Sequence, residues 1–166
     1  MNVEIDDIRS RLAESAFWQN YLSEAEHPQS RIGMHVAIFA EPFLSFLLDG
    51  RKTVESRFSR NRCAPFGEVS DGDIILIKEV AGPICALALA RRAWFYDLHL
   101  ESIDQIRGRY GELICGDEEF WSARGDAAYA TLIELSDIAC MEPLDLRKRD
   151  RRGWVTLRSR QMSLAF

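Results

Sequence analysis

Four side chains able to bind ligands or move protons lie close together in the sequence: Lys52, Thr53, Glu55 and Arg57. If this segment is a β-strand, Thr53, Glu55 and Arg57 point to one face, because side chains alternate along a strand. Lys52 stands at the turn before the strand and can lean over the same face. The spacing therefore predicts an ammonium, a hydroxyl, a carboxylate and a guanidinium around one cleft.

Three interpretations fit this group. It can bind a base edge or a phosphate, as polar and cationic side chains do in nucleic-acid sites. It can also transfer protons, with Glu55 as general base and Lys52 stabilising an oxyanion or activating a nucleophile. The third interpretation is a surface strand with a Glu55–Arg57 ion pair, worth about 0–1 kcal/mol.

The elements around this segment predict an α+β fold. Pro42 favours the start of a helix over Phe43–Leu48, and Gly50 can end it with a positive φ. Short strands that alternate with glycine-containing turns favour a small β-barrel with short flanking helices. The predicted strands are His35–Phe39, Lys52–Phe58, Asp73–Val80, Ile84–Phe95, Tyr129–Leu135 and Trp154–Leu157, and the later helices are Ser102–Tyr110 and Asp117–Arg124.

The N-terminal segment predicts an appended amphipathic helix. Apolar residues recur at near-helical spacing over residues 1–25, and Pro28 ends the pattern. Up to His27 there are six acidic residues against two arginines. We therefore divide the chain into a helical extension, residues 1–30, and a barrel domain, residues 31–166. The acidic helix could also dock a protein partner or a second copy of the chain.

The composition is that of a globular protein. The chain has 166 residues, of which 47% are hydrophobic and 28% are charged. The apolar runs are shorter than the ~18 residues that cross a bilayer, and the acidic N-terminus is unlike a targeting peptide. Cys63, Cys85, Cys115 and Cys140 lie far apart, which predicts inert, buried thiols in a cytoplasmic protein. No metal site and no cofactor are expected, because ligand clusters and the G-x-G-x-x-G and phosphate-loop patterns are absent.

The charge distribution favours an anionic ligand. The net charge is −5, yet residues 51–62 carry five basic side chains against one acidic, and residues 147–160 carry seven against one. Of the 21 basic residues 18 are arginine, whose planar fork suits phosphates and base edges. Arg151 and Arg152 are candidates for phosphate contacts. Trp121 and Trp154 are candidates for base stacking, because basic residues flank both.

The pattern Gly50-x-Lys52-x-x-Glu55-x-Arg57, followed by Gly72-Asp73-x-Ile75, resembles the signature of ASCH domains in the PUA-like superfamily. The resemblance covers residues 34–157 in order of elements. Residues 148–155 also resemble a C-terminal element of some bacterial members. The resemblance implies a compact β-barrel with a basic cleft lined by the signature residues, and a function in binding RNA or nucleotides.

The resemblance also implies an enzymatic alternative. One bacterial branch of the family removes the acetyl group from acetylated cytidine, and ribonuclease activity is described for other members. Lys52 matches the lysine of the amidohydrolase branch, but Glu55 replaces its threonine, and Glu112 is the nearest match to its distant glutamate. The alternative is therefore a metal-independent hydrolase of a modified nucleoside or of RNA, with Lys52 and Glu55 as catalytic residues.

Overall fold

The computed structural model describes residues 2–147 and 151–159. One six-stranded sheet, curled into a half-barrel, forms its centre, and short helices flank it. The fold is α+β, as predicted. The helices are α1 (Ile5–Arg11), α2 (Ala16–Glu26), α3 (Phe43–Leu48), α4 (Ile103–Ile114) and α5 (Glu118–Ser122). The strands are β1 (Met34–Phe39), β2 (Val54–Ser59), β3 (Ile74–Glu79), β4 (Ile84–Asp97), β5 (Tyr129–Leu144) and β6 (Trp154–Arg158).

The strand order in the sheet is β2-β5-β4-β3-β1-β6. Strands β1 and β3 are parallel, and the other neighbours are antiparallel. The register of the long β4–β5 pair shifts at three places, and such bulges increase the local twist of a sheet. The sheet therefore curls until its first strand, β2, approaches the opposite edge at β6.

The sheet is buried on both faces. The inner face of the curl holds a core that includes Phe39, Ile75, Ile133 and Trp154. On the outer face, α1 and α2 cover one end, around Val36 and Leu87, and α4 and α5 cover the other, around Val54 and Leu132. The end covered by α4 and α5 contains β2, the strand that carries the predicted site.

The N-terminal segment forms two helices rather than the single helix predicted. The side chain of Ser15 accepts a hydrogen bond from Trp18 N and so starts α2 anew. Ile8, Trp18 and Leu22 are fully buried in the core cluster that also contains strand residues of the sheet. Because this apolar face packs against the sheet, a partner would have only the outer, polar face of these helices.

Two further details differ from the predictions. Strand β5 runs to Leu144 instead of ending at Leu135, because its pairing with β4 continues past the register shifts. The prediction that the cysteines are buried is wrong: Cys63 and Cys140 are exposed, and Cys85 and Cys115 are half-buried. No helix within residues 2–147 and 151–159 is both long and apolar enough to span a lipid bilayer.

Asp73 joins the turn before β3 to β1 from a fully buried position. Its carboxylate accepts hydrogen bonds from Gly33 N at 2.8 Å, Ser70 N at 2.8 Å and His35 Nε2 at 2.9 Å. The Trp154 indole N–H lies 3.2 Å from His35 Nδ1 and can only donate, so Nδ1 accepts and Nε2 carries the proton. His35 is thus a structural histidine with both ring nitrogens satisfied.

We expect Asp73→Ala to lower the free energy of unfolding by about 3 kcal/mol, because it removes the acceptor of two buried donors, on Gly33 and His35, and of one half-buried donor, on Ser70. Urea denaturation followed by tryptophan fluorescence measures the change. The matched control is Asp145→Ala at an exposed position, which should change stability by less than about 0.5 kcal/mol. Equal losses for the two variants would show that the buried carboxylate does not join the turn to β1.

Candidate functional site

The turn between α3 and β2 positions Lys52. Gly50 ends the helix with a φ of 86°, a conformation that favours glycine, as the sequence predicts. The chain then turns back so that Lys52 N donates to Phe46 O at 2.9 Å. This backbone hydrogen bond directs the Lys52 side chain between α3 and the C-terminal end of α4.

The Lys52 ammonium is buried, with 2% of the residue exposed. Its Nζ lies 2.9 Å from Val54 O, 2.9 Å from Ile114 O and 3.2 Å from Glu55 Oε2. Two of its three N–H donors are used by the carbonyl oxygens, and the Glu55 carboxylate balances its charge. Lys52 therefore fixes the end of α4 to the start of β2.

Glu55 lies between two cations. It is 6% exposed, and its Oε1 accepts a hydrogen bond from Arg57 Nε at 2.7 Å while Oε2 faces Lys52 Nζ. The positive charge on each side of Glu55 offsets the cost of burying its carboxylate. We refer to these three residues as the Lys52–Glu55–Arg57 chain.

Arg57 connects the two edges of the curled sheet. From β2 its Nη1 donates to Gly153 O at 2.9 Å and its Nη2 donates to Ile38 O at 2.8 Å. Gly153 directly precedes β6, the last strand in the sheet order, and Ile38 belongs to β1. A Cβ on Gly153 would lie 2.9 Å from Arg57 Nη1, so this close approach favours glycine. The guanidinium thus closes the barrel where backbone pairing is missing.

A cavity of about 880 Å³ lies beside the Lys52–Glu55–Arg57 chain, between α3 and the helices α4 and α5. Its wall combines aromatic rings with both signs of charge. The aromatic residues are Phe43, Phe46, Phe120 and Trp121, the cations are Arg51, Arg107 and Arg124, and the carboxylates are Glu41, Glu112, Asp117 and Glu119. Lys52 and Glu55 do not line it, but the Phe43 ring centre is 5.5 Å from Lys52 Nζ.

The three arginines of this cavity, which we call the larger cavity, differ in their surroundings. Arg51 pairs with Asp49 and holds the pKa of that carboxyl below its usual value. Arg107 pairs with Glu118 in the same way. Arg124 is half-buried with its Cζ 3.5 Å from the Phe120 ring centre, and no carboxylate of the described residues lies within ion-pair distance of it.

The pKa of Arg124 is lowered. Burial is the main cause, the Glu55 carboxylate opposes it and the Arg57 cation adds to it. The charges of Glu55 and Arg57 therefore act on Arg124. Arg124 therefore lines the larger cavity and also interacts electrostatically with Glu55 and Arg57.

A smaller cavity of about 260 Å³ lies at the Arg57 end of the Lys52–Glu55–Arg57 chain. It lies against the seam of the barrel, where Arg57 of β2 meets Gly153 and Ile38. Arg57 and Arg152 line it, and its described wall contains no carboxylate. The remaining lining residues are Phe58, Ser59, Cys63, Ala64, Pro65, Thr131, Gly153 and Trp154.

The other predicted site residues lie in the larger cavity, in the inner core or at the surface. Trp121 and Glu112 line the larger cavity, with Trp121 Nε1 donating to Gly116 O at 3.2 Å. Trp154 is 2% exposed and packs in the inner core. Thr53 is half-buried at the start of β2, and Arg151 is exposed. Residues 148–150 and 160 of the predicted basic segment lie outside the described residues.

Sequence reasoning did not identify Arg51, Arg107 or Arg124 as a group. They come from the turn before β2, from α4 and from the turn after α5, and only the fold brings them together. Phe43 and Phe46 carry a weak signal, since they lie on α3 directly before the signature residues. Within residues 2–147 and 151–159 there is no group of three His, Cys, Asp or Glu side chains that could hold a metal ion.

Comparison with known proteins supports this description of the fold. No protein-family model matches the sequence, and no curated protein matches it. The crystal structure of ASCH from Zymomonas mobilis matches with a TM-score of 0.59 and 19% identity over 75% of this chain and 87% of that chain. A serine-to-alanine mutant of that protein matches with a TM-score of 0.60 at 18% identity, over 75% and 88% of the two chains. This chain has the ASCH-domain fold.

We expect Arg57→Ala to lower the free energy of unfolding by about 3 kcal/mol, because it opens the seam and leaves Glu55 with one cation. Hydrogen exchange followed by mass spectrometry should show the largest increase in Trp154–Arg158, more than in Ile74–Glu79.

The control is Arg60→Ala, which removes an exposed ion pair with Asp126 and should cost less than about 1 kcal/mol. Unchanged protection of Trp154–Arg158 in Arg57→Ala would show that the guanidinium does not hold the seam.

Proposed function

We propose that this protein binds a nucleotide, free or as an unpaired unit of RNA, in the larger cavity next to the Lys52–Glu55–Arg57 chain. The cavity volume of about 880 Å³ lies in the range of small-molecule sites, about 300–1,000 Å³, and can enclose a base and its sugar. The proposal thus places the ligand beside the signature residues rather than among them.

The observation that carries the proposal is the position of Arg124. It is a half-buried cation on the cavity wall, and no carboxylate of the described residues pairs with it. Its Nη1 donates to Phe120 O at 2.8 Å, which satisfies one donor but does not balance the charge, so a ligand of opposite charge can complete an ion pair here. A phosphate supplies that charge and can accept two parallel hydrogen bonds from the guanidinium.

The rest of the cavity suits a nucleobase. Phe46 and Trp121 offer ring surface for packing against a base, as aromatic side chains do for unpaired bases. Glu112 and Glu119 can accept hydrogen bonds from the exocyclic amino group of a base. A wall with both signs of charge therefore matches a ligand that has an anionic phosphate and amino donors.

In this proposal the signature residues position the site. Lys52 holds the end of α4, and Glu55 acts on Arg124 through its charge. Thr53, Trp154, Arg151 and Arg152 are not needed for this cavity. We place the binding activity in the cytoplasm, where free nucleotides and RNA are available as ligands.

Hydrolysis with Lys52 and Glu55 as catalytic groups is less well supported by the geometry. Lys52 is buried, with its ammonium held by two carbonyl oxygens and paired with Glu55, and it does not line the larger cavity. Glu55 also lies outside that cavity wall and is paired with both Lys52 and Arg57. Binding without turnover does not require either group to touch the ligand.

We expect cytidine and adenosine monophosphates to bind at low salt, and Arg124→Gln to weaken that binding about tenfold to a hundredfold, the worth of one charge-assisted hydrogen bond. Isothermal titration calorimetry measures both affinities. The matched control is Arg109→Gln, an exposed arginine of α4 that lies outside the cavity wall, which should leave the affinity unchanged.

Two results would contradict the proposal. One is that no nucleotide binds the wild-type protein at low salt, and the other is that Arg124→Gln binds as tightly as wild type. Turnover of an acylated cytidine or of RNA that Lys52→Ala abolishes would replace binding with hydrolysis.

A further inference from the structure

The sheet continues past the smaller cavity as a surface of aromatic rings. Two rows of paired residues cross β2, β5 and β4 on the inner face: Arg57, Thr131 and Phe95 form one row, and Ser59, Tyr129 and Asp97 form the next. Arg57, Ser59 and Thr131 line the smaller cavity. Phe95 and Tyr129 therefore extend its wall along the same face of the sheet.

The loop between β2 and β3 adds a third ring and a cation. The Phe66 ring centre lies 5.4 Å from that of Phe95 and 5.1 Å from that of Tyr129. The Arg62 guanidinium lies 5.2 Å from the Tyr129 ring centre and 5.8 Å from that of Phe66. Phe95 is 40% exposed, a large open fraction for an aromatic residue. We call Arg62, Phe66, Phe95 and Tyr129 the stacking surface.

Three arginines lie at the stacking surface or line the cavity beside it, and one of them, Arg57, is paired with Glu55. Arg57 and Arg152 line the adjoining cavity, and Arg62 is exposed on the loop. The described wall of that cavity contains no carboxylate, in contrast to the four carboxylates of the larger cavity. Asp97, the acidic residue of the second row, uses its Oδ1 to accept a hydrogen bond from His99 N.

Rings and guanidinium groups in alternation match single-stranded nucleic acid. Unpaired bases stack on aromatic side chains, and arginines contact the phosphates between them. A base in a duplex already stacks on its neighbours and cannot lie flat on Phe95. The smaller cavity, at about 260 Å³, admits one nucleotide at most.

We infer that the stacking surface and the smaller cavity bind a single-stranded RNA segment, with a base on Phe95 and phosphates at Arg57, Arg62 and Arg152. The inference rests on the proposed function and extends it, because the ligand becomes an RNA chain that reaches beyond one nucleotide. The two binding regions lie at opposite ends of the Lys52–Glu55–Arg57 chain.

The experiment compares a labelled twelve-nucleotide oligocytidylate, measured by fluorescence anisotropy, with cytidine monophosphate, measured by calorimetry. We expect Arg62→Glu and Phe95→Ala each to weaken oligonucleotide binding at least tenfold, in line with the loss of one stacked base. The affinity for cytidine monophosphate should not change. Arg62→Ala should also reduce the salt dependence of oligonucleotide binding by about 0.7 in the slope of log K against log salt.

The chain offers matched controls for both variants. Phe17 is 41% exposed on α2, and Arg109 is an exposed arginine 5.9 Å from the Tyr110 ring centre. Phe17→Ala and Arg109→Glu should bind the oligonucleotide as the wild type does. Because Arg62 is exposed, Arg62→Glu tests the inference even if Phe95→Ala lowers stability.

The outcomes separate this inference from the proposed function. If the oligonucleotide binds equally well to wild type, Arg62→Glu and Phe95→Ala, the stacking surface is not the RNA site, and the proposed function stands on the mononucleotide result. If the protein binds neither oligonucleotide nor mononucleotide, both are wrong. Tighter binding of the same sequence as a duplex would also overturn the inference.

Discussion

The structure depends on one chain of charges, Lys52, Glu55 and Arg57, that joins parts of the fold that backbone pairing leaves apart. Arg57 connects β2 to the carbonyls at the opposite sheet edge, and Lys52 connects β2 to the end of α4. Each ion loses water on burial, and its neighbours offset that cost only while all three are present. The chain therefore fixes the curvature of the sheet and the position of α4 together.

Lys52, Glu55 and Arg57 serve mainly to hold the fold together. Lys52 and Glu55 are buried, are paired with each other and do not line the larger cavity. The charges of Glu55 and Arg57 still influence Arg124, which does line it. Any ligand in that cavity would therefore meet arginines from the turn before β2, from α4 and from the turn after α5.

Local signals in the sequence predicted most of the elements. The positive φ of Gly50 and the capping box of Ser102 and Gln105 are consequences of neighbouring residues, so the bounds of α3 and the start of α4 could be placed from sequence. The contact of Arg57 with Gly153 joins residues that are 96 positions apart. Alternation along a strand shows that Arg57 and Glu55 share a face, but it cannot show that this face meets the opposite sheet edge. For the same reason the sequence indicated the cluster and not the carbonyl contacts that close it.

The two cavities lie at opposite ends of the Lys52–Glu55–Arg57 chain, and the charged residues of their walls differ. The larger one lies among helix ends and turns, where acidic residues such as Asp117 cap the first turn of a helix, so its wall carries both signs. The smaller one lies along the seam, where Arg57 and Arg152 are the charged residues of the described wall and Glu55, outside that wall, pairs with Arg57. Charged groups of both signs therefore line the larger cavity, whereas arginines alone carry the charge of the described wall at the seam. The nucleotide and the longer RNA that we propose both combine phosphates with bases, so one protein can hold the first at the helix ends and the second along the seam.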